Sequence, residues 1–468
     1  MSMNIKLMVM GCMMASCFCA VGDYYVDSVN GDDNLDGRSP ATPWRTIGKV
    51  NQSTFQPGDR VLFKRGGLWR ETLYLRSGSE EKPLIYSHYG DGPLPLIQPS
   101  VSASDPADWK EASPGIWTLD DKVAERTTVD VGNIVFDHGA ATCGWKRWKA
   151  EDLKKDGEYV YLKEPHNILL KYPENPAKRH KSVELVLRRF GAIHDNAHDV
   201  IVDGLAIRYA GCHGFGGSNA KRYTIRNCEI SYVGGAHQFT TQDGRNVRFG
   251  NGIEFWNNAS DCLVENNRIW EIYDAALTNQ GRATNQNSPS IERNITYRNN
   301  TVWNAEYSFE YWNNPEYSIT ENILVENNTF VDAGYGWAHA QRPDPNGAHI
   351  MAYNNSAQTK NFVFRNNIFS NSTEVCLRIF NDWKPETPVF ENNLWENGEK
   401  TFIRSEIQSK KGLLGKAAFI DFLKQWNPNC NEMTGVPRFV DATRRDYRLA
   451  SDSVGYGKNI GANTAVAR

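Results

Sequence analysis

Val264-Glu265-Asn266-Asn267-Arg268-Ile269 is a phrase that this chain repeats. It returns as Tyr297-Arg298-Asn299-Asn300-Thr301-Val302 and as Val325-Glu326-Asn327-Asn328-Thr329-Phe330. Two more copies are Phe364-Arg365-Asn366-Asn367-Ile368-Phe369 and Phe390-Glu391-Asn392-Asn393-Leu394-Trp395, and a degenerate one, Ile225-Arg226-Asn227-Cys228-Glu229-Ile230, precedes them. From 227 to 266 the interval is 39 residues; from 366 to 392 it is 26. A constant phrase between segments of changing length marks a solenoid whose coils keep their strands and vary their loops. Asparagine suits the corner of such a coil. It tolerates the left-handed backbone a corner needs, and its amide both donates and accepts, so equivalent residues can bond along the stack. The flanking Val, Ile, Phe and Trp supply short strands directed inward.

The composition bounds the rest. The chain has 468 residues, 40% of them hydrophobic, and a net charge of −3. That is enough for a large core and too neutral to point to nucleic acid or an anionic membrane as partner. The 14 Trp and 20 Tyr suit both sugar stacking and plain packing. Lys6 precedes an uncharged run from Leu7 to Val21, too short to span a bilayer, which reads as a signal-peptide core with cleavage near Ala20. Met14-Ala15-Ser16-Cys17 is an imperfect bacterial lipobox, so a lipid anchor at Cys17 is the alternative. The expected location is secreted or periplasmic, or the outer membrane of a bacterium if Cys17 is lipidated. The other cysteines, Cys143, Cys212, Cys228, Cys262, Cys376 and Cys430, are scattered without metal spacing, and their pairing is open.

The opening carries a second signal. Tyr24-Tyr25-Val26-Asp27 leads into a Gly/Asp/Asn turn, then Pro43-Trp44-Arg45-Thr46-Ile47 and Pro57-Gly58-Asp59-Arg60-Val61-Leu62-Phe63; the tail holds Gly435-Val436-Pro437-Arg438-Phe439-Val440-Asp441 and Asp446-Tyr447-Arg448-Leu449. These stretches resemble secreted right-handed parallel β-helix proteins of the pectate-lyase-like superfamily, of carbohydrate-active type. The resemblance implies an all-β fold, a right-handed parallel β-helix. It implies little chemistry, since the superfamily holds lyases, hydrolases, epimerases and non-enzymatic proteins.

The expected organisation is a signal peptide (1–20), an N-terminal cap and first coils (21–100) and an inserted β-rich subdomain (101–190), where the doublets stop and Trp109, Trp117, Trp145 and Trp148 gather. A regular β-helix (191–400) and a C-terminal cap (401–468) follow. Gly412 to Trp426 has apolar residues at helical spacing and predicts a short capping helix. Asp32-Asp33-Asn34-Leu35-Asp36-Gly37 matches half of a calcium loop, but Pro43 stands where the bidentate acid belongs, so it reads as a turn. No cofactor or metal is expected, with calcium only as a weak alternative.

Alignment on the doublets also aligns a second strand. Ile253-Glu254-Phe255-Trp256-Asn257-Asn258 matches Phe309-Glu310-Tyr311-Trp312-Asn313-Asn314, with Leu277-Thr278-Asn279-Gln280 in the coil between. In this register Ile253, Leu277, Phe309, Ile350 and Leu377 point inward, and Glu254, Thr278, Glu310, Met351 and Arg378 face outward in one column. Residues two strands apart sit at about 9.6 Å. Inverting glycosidases hold their carboxyls about 6.5–9.5 Å apart, and rotamers can close the difference. Glu254 and Glu310 are therefore the candidate catalytic pair, with Asp274 assisting from the strand's edge. Trp256, Thr278, Gln280, Tyr311 and Trp312 are candidate sugar contacts on that face. The loops 232–251 and 338–349 border the column and add His339, Arg342 and His349; Arg342 and Arg378 can bind a uronate carboxylate or a sulfate. The bland alternative is a solvated face with ordinary ion pairs.

Three functions follow as expectations. The first is a secreted glycoside hydrolase degrading a polysaccharide or oligosaccharide with inversion. The second is a polysaccharide lyase acting by β-elimination, with Arg342 or Arg378 neutralising a uronate and His339, His349 or Tyr311 as base. The third is a non-catalytic glycan-binding surface protein.

Overall fold

The computed structural model describes residues 21–139, 142–380, 388–405 and 412–463. The signal-peptide core and Cys17 lie outside the described residues. The molecule is nearly all β. One sheet has ten strands, from Asp23–Val26 and Arg60–Lys64 through Ser260–Glu265, Ile291–Arg298 and Ile319–Glu326 to Val389–Glu391, all paired in parallel. After each doublet the chain enters a second, eighteen-stranded sheet and then returns to the first. Arg268–Arg282 and Thr301–Asn314 are long strands that pair in parallel along most of their length, with a register shift between Ile272 and Ala275. This parallel stacking, layer upon layer, is compatible with a β-helix.

The doublets make the corner between the sheets. The first asparagines, at 227, 266, 299, 327, 366 and 392, all have φ between 53° and 58°, the left-handed region that asparagine tolerates. The second asparagines are fully buried and bond upward: Asn267 Nδ2 to Asn300 Oδ1 at 3.0 Å, Asn300 to Asn328 at 2.9 Å, Asn328 to Asn367 at 3.0 Å, Asn367 to Asn393 at 2.9 Å. The degenerate copy joins through its backbone, Cys228 N donating to Asn267 Oδ1 at 2.9 Å. Inside, register stacks like residues. Ile225, Val264, Tyr297, Val325, Phe364 and Phe390 form one column, and Ile253, Leu277, Phe309, Ile350 and Leu377 another. Each such aliphatic or aromatic side chain stabilises by about 1.5–3 kcal/mol when buried.

Residues 101–187 leave the stack. They form a three-stranded antiparallel sheet (Val131–Phe136, Val183–Leu187, Val101–Ser102) and a five-stranded mixed one, around a core of their own. Arg70 anchors the excursion, its Nη1 2.7 Å from Glu184 Oε2.

Two C-terminal expectations need correction. The helix runs Lys416–Trp426, because Gly412–Leu414 is a short strand antiparallel to Ile403–Ser405 that finishes the sheet edge first. The parallel stack also continues past residue 400, since Ile403–Ser405 and Met433–Thr434 still pair in parallel with earlier layers. Phe419 of the helix is buried against Trp395, with ring centroids 5.1 Å apart. Among the described residues no helix is long and apolar enough to cross a membrane, and the six described cysteines are free thiols.

Candidate active site

The register read from the doublets is the register observed: Glu254 pairs with Thr278, Thr278 with Glu310, Glu310 with Met351 and Met351 with Arg378. Beside this column runs a second, Trp256–Gln280–Trp312. The two indoles meet edge to face across Gln280, centroids 5.3 Å apart. Gln280 Nε2 donates to Glu310 Oε1 at 2.6 Å. Thr278 is fully buried between the glutamates, and its hydroxyl has no protein hydrogen-bond partner among the described residues.

Neither glutamate is solvated: Glu254 is 8% exposed and Glu310 5%. Burial pushes the Glu254 carboxyl up to about 8, with Asp274 and Asp195 adding to the rise. One donor works against that, Asn251 Nδ2, which reaches Oε1 at 3.3 Å. His213 Nε2 lies 3.1 Å from Oε2. His213 Nδ1 accepts from the Asn251 backbone, so the proton sits on Nε2, and burial holds the imidazole neutral, down to about 3. The contact is thus a hydrogen bond and not an ion pair. Glu310 is driven further, well above the usual carboxylate range, by burial first and then by the charges of Asp274 and Glu254.

Asp274 completes the trio. It stands at the register shift, four residues before Thr278, and its side chain is 21% exposed. Burial raises it, Glu306 and Asp344 push the same way, and Arg342 opposes them; Arg342 Nη1 lies 3.1 Å from Oδ1. Asp274 and Arg342 face a cavity of about 1010 Å³. The long strands floor it at Tyr273 and Asp274. The hairpin strands Ala236–Thr240 and Asn246–Phe249, the segment 340–344 and the inserted residues 145–158 wall it. Gln341 ties these walls: its Nε2 donates to Gly144 O at 2.7 Å and its Oε1 accepts from Arg248 Nη1 at 3.1 Å. Lys146, buried beside Asp130 and pushed down to about 8 by that burial, borders the same space.

Several expected contacts lie elsewhere. Tyr311 points inward and packs on Phe362, centroids 4.7 Å apart, because it follows the outward Glu310 by one residue and strand side chains alternate. It is neither a base nor a sugar contact. His349 is fully buried, its Nδ1 3.0 Å from Ser308 Oγ and its ring against Phe369; burial holds it neutral, down to about 3. It too is withdrawn from the cleft. His339 stays partly exposed, its Nδ1 3.0 Å from Glu306 Oε2, and that contact raises its pKa. Arg378 sits two strands beyond Glu310, its guanidinium 5.0 Å from the Phe380 ring.

Glu306 was not foreseen. It lies one strand from Asp274 in the same register, four residues before Glu310, and is buried with Oε1 accepting from Asn346 N at 2.8 Å. Extending the aligned phrase four residues toward the N-terminus brings Asp274 and Glu306 together. His213 carried no such signal. The calcium-like turn is satisfied by its own chain: Asp33 accepts from Arg45 N, Thr46 N and the Thr46 hydroxyl, and Asp36 from Arg38 N and the Thr42 hydroxyl. Among the described residues no group of three or more His, Cys, Asp or Glu converges to hold a metal ion.

No family model matches the chain. Over 73 residues it is 38% identical to a lacto-N-biosidase of Bifidobacterium longum subsp. longum, a stretch covering 14% of this chain and 5% of that protein. The chain therefore matches about a twentieth of that relative's length. Among solved structures, a complex of XylC with xylose is similar at a TM-score of 0.50 and 12% identity, over 84% of this chain and 73% of that one. A GH136 lacto-N-biosidase from Eubacterium ramulus gives 0.44 at 14% identity, over 82% and 67%. At these identities the likeness to XylC is one of fold.

Proposed function

We propose that the chain is a carbohydrate-active enzyme, a glycoside hydrolase built on a right-handed parallel β-helix of pectate-lyase-like type and exported from the cell. One observation carries the reading. Three carboxyls, Glu254, Asp274 and Glu310, lie buried within reach of one another's charge, and one of them, Asp274, lines a large cavity. Groups driven apart in this way divide into acid and base. Glu310, furthest raised, is the general acid that protonates the leaving oxygen. Asp274, the member paired with an arginine and open to the cavity, is the base that activates water. Burial and the charge of Asp274 keep Glu310 protonated, and Glu254 adds to this as it ionises, near pH 8. The likeness of fold to a xylose-binding protein and the short match to a lacto-N-biosidase support a sugar substrate.

Asp274 stands four residues along the strand from Thr278, the partner of Glu310, about 13 Å of extended backbone before the register shift shortens it. Inversion requires the two carboxyls about 6.5–9.5 Å apart, so the side chains must converge from that backbone separation, which the product anomer tests. The lyase reading is weaker, because Arg342 is already engaged by Asp274 and His339 is raised by Glu306, which makes it a poor base.

The test is a screen of plant, algal and host glycans that reads reducing ends and ultraviolet absorbance together, with the product anomer followed by NMR. Reducing ends without absorbance support hydrolysis; absorbing products would establish elimination instead. Glu254→Gln discriminates within the trio. It lowers the alkaline limb of the pH profile if Glu254 acts through Glu310. Loss of turnover as complete as in Glu310→Gln would make the two glutamates the working pair.

A further inference from the structure

A second cavity, of about 390 Å³, opens on the outer face of the strands that follow the doublet corner, and Asp274, Glu254 and Glu310 take no part in it. Its volume falls within the ~300–1,000 Å³ of small-ligand sites. Register explains its shape. Arg208, Ser231, Trp270, Trp303 and Val331 form one outward column on successive strands. Trp270 and Trp303 stack flat, 4° between planes and 4.8 Å between centroids. Trp303 is covered by Tyr447, while Trp270 remains half-buried at the cavity. On the far side of Trp270 the column drops to Ser231, a small residue whose buried hydroxyl has no protein partner among the described residues. Arg208, a third exposed, reaches over that step to 5.9 Å from the Trp270 ring.

The charges around this platform do not cancel. Glu229 lies 3.8 Å from Arg208. The Glu271 carboxyl is filled by donors from its own chain, Asn304 Nδ2 at 2.7 Å and Trp337 N at 2.9 Å, and burial raises its pKa. Arg268 makes a long contact from Nη2 to Arg445 O, 3.4 Å, and lies 5.1 Å from the Trp303 ring centre; its buried Nη1 has no protein acceptor among the described residues, and Arg445, which donates to the Tyr447 hydroxyl at 2.9 Å, stands beside it. An indole platform beside guanidinium groups that no carboxylate contacts directly among the described residues recognises a ring with an apolar face and an anionic substituent.

We propose that this cavity is a second saccharide-binding site, separate from the catalytic cleft. It takes a sugar unit carrying a carboxylate or sulfate, the ring on Trp270 and the anion on Arg268 and Arg445. The inference stands on its own residues and does not require the carboxyl trio to be catalytic.

Calorimetric titration of the full chain tests it, with tetragalacturonate as the uronate probe, a κ-carrageenan tetrasaccharide as the sulfated probe and xylotetraose as the neutral control. The expected result is binding of one anionic probe that weakens as salt rises. Which probe binds separates uronate from sulfate ester. Trp270→Ala and Arg445→Ala are each expected to weaken it at least ten-fold, while Gln341→Ala, which loosens the walls of the catalytic cleft, leaves it unchanged. Arg445→Ala changes a turn residue, and its thermal melt checks that the fold survives. Binding of neither anionic probe, or binding untouched by both Trp270→Ala and Arg445→Ala, overturns the proposal. Binding weakened in Gln341→Ala but kept in Trp270→Ala assigns the saccharide to the catalytic cleft and overturns it as well.

Discussion

At the scale of single residues, the proposed chemistry rests on what burial does to three carboxyls. An exposed glutamate is ionised at neutral pH and cannot protonate a leaving group. Glu310 is pushed well above that range, by burial and by two neighbouring negative charges. Replacement by Gln keeps the shape and the Gln280 contact but removes the proton. Turnover in Glu310→Gln is expected to fall by about 10²–10⁴-fold, with substrate binding retained, as initial rates and a separate binding titration will show. The pH profile follows with its sign. In the proposed mechanism activity requires Glu310 protonated and Asp274 ionised. It therefore falls as pH rises through the raised Glu310 value, and falls as pH drops through that of Asp274, which burial also raises. The bell is displaced to higher pH than two ordinary carboxyls, near 4, would give. A profile of kcat/KM centred near pH 4 would contradict the assignment. The register of the two glutamates was legible because an outward acid in a repeated phrase stands out; Asp274 was read only from its distance along the strand. The failures of Tyr311 and His349 have one cause, that chemistry was read from residue type where alternation and corner geometry decide which way a side chain points.

At the scale of elements, the asparagine corner is the structural device. Each second asparagine accepts from the layer behind and donates to the layer ahead. Asn328 takes the Asn300 backbone N–H and Nδ2 on its Oδ1, and gives its own Nδ2 to Asn367 Oδ1 and Tyr297 O. In Asn328→Ala those buried groups lose their partners at about 1–3 kcal/mol each, not additively. A loss of about 3 kcal/mol or more is expected, read as a lower urea midpoint. An unchanged midpoint would show that the ladder is ornamental. The phrase alone announced this element, because a left-handed backbone and a two-way hydrogen-bonding side chain are local requirements that few residues meet together. The short strand at Gly412–Leu414 was hidden in the apolar pattern of the helix that follows, since a few residues of edge pairing leave no periodicity of their own.

At the scale of the whole molecule, the cleft is an assembly of distant segments. The floor comes from residues near 274, one wall from a hairpin near 240, one from residues near 341, and the rim from an excursion more than 100 residues upstream. Gln341 is the point where three of them meet. Gln341→Ala is expected to raise KM several-fold while kcat changes little, because it loosens the walls and leaves the carboxyls in place; a drop in kcat with KM unchanged would place Gln341 in the chemistry. Residues 101–187 extend the stack sideways, and Lys146 brings a buried cation from that excursion to the cavity.

What the chain determined by itself was the stacking. A short phrase recurring at variable intervals sets strand, corner and register, and register alone aligned Glu254, Thr278 and Glu310. These are nearest-neighbour properties, repeated until they are unmistakable. Which carboxyl is open to the cavity, which is forced to keep its proton and which side chains wall the cleft were decided only when the loops and the inserted segment closed over the stack. Desolvation depends on everything packed around a group, and no local pattern of residues carries that information.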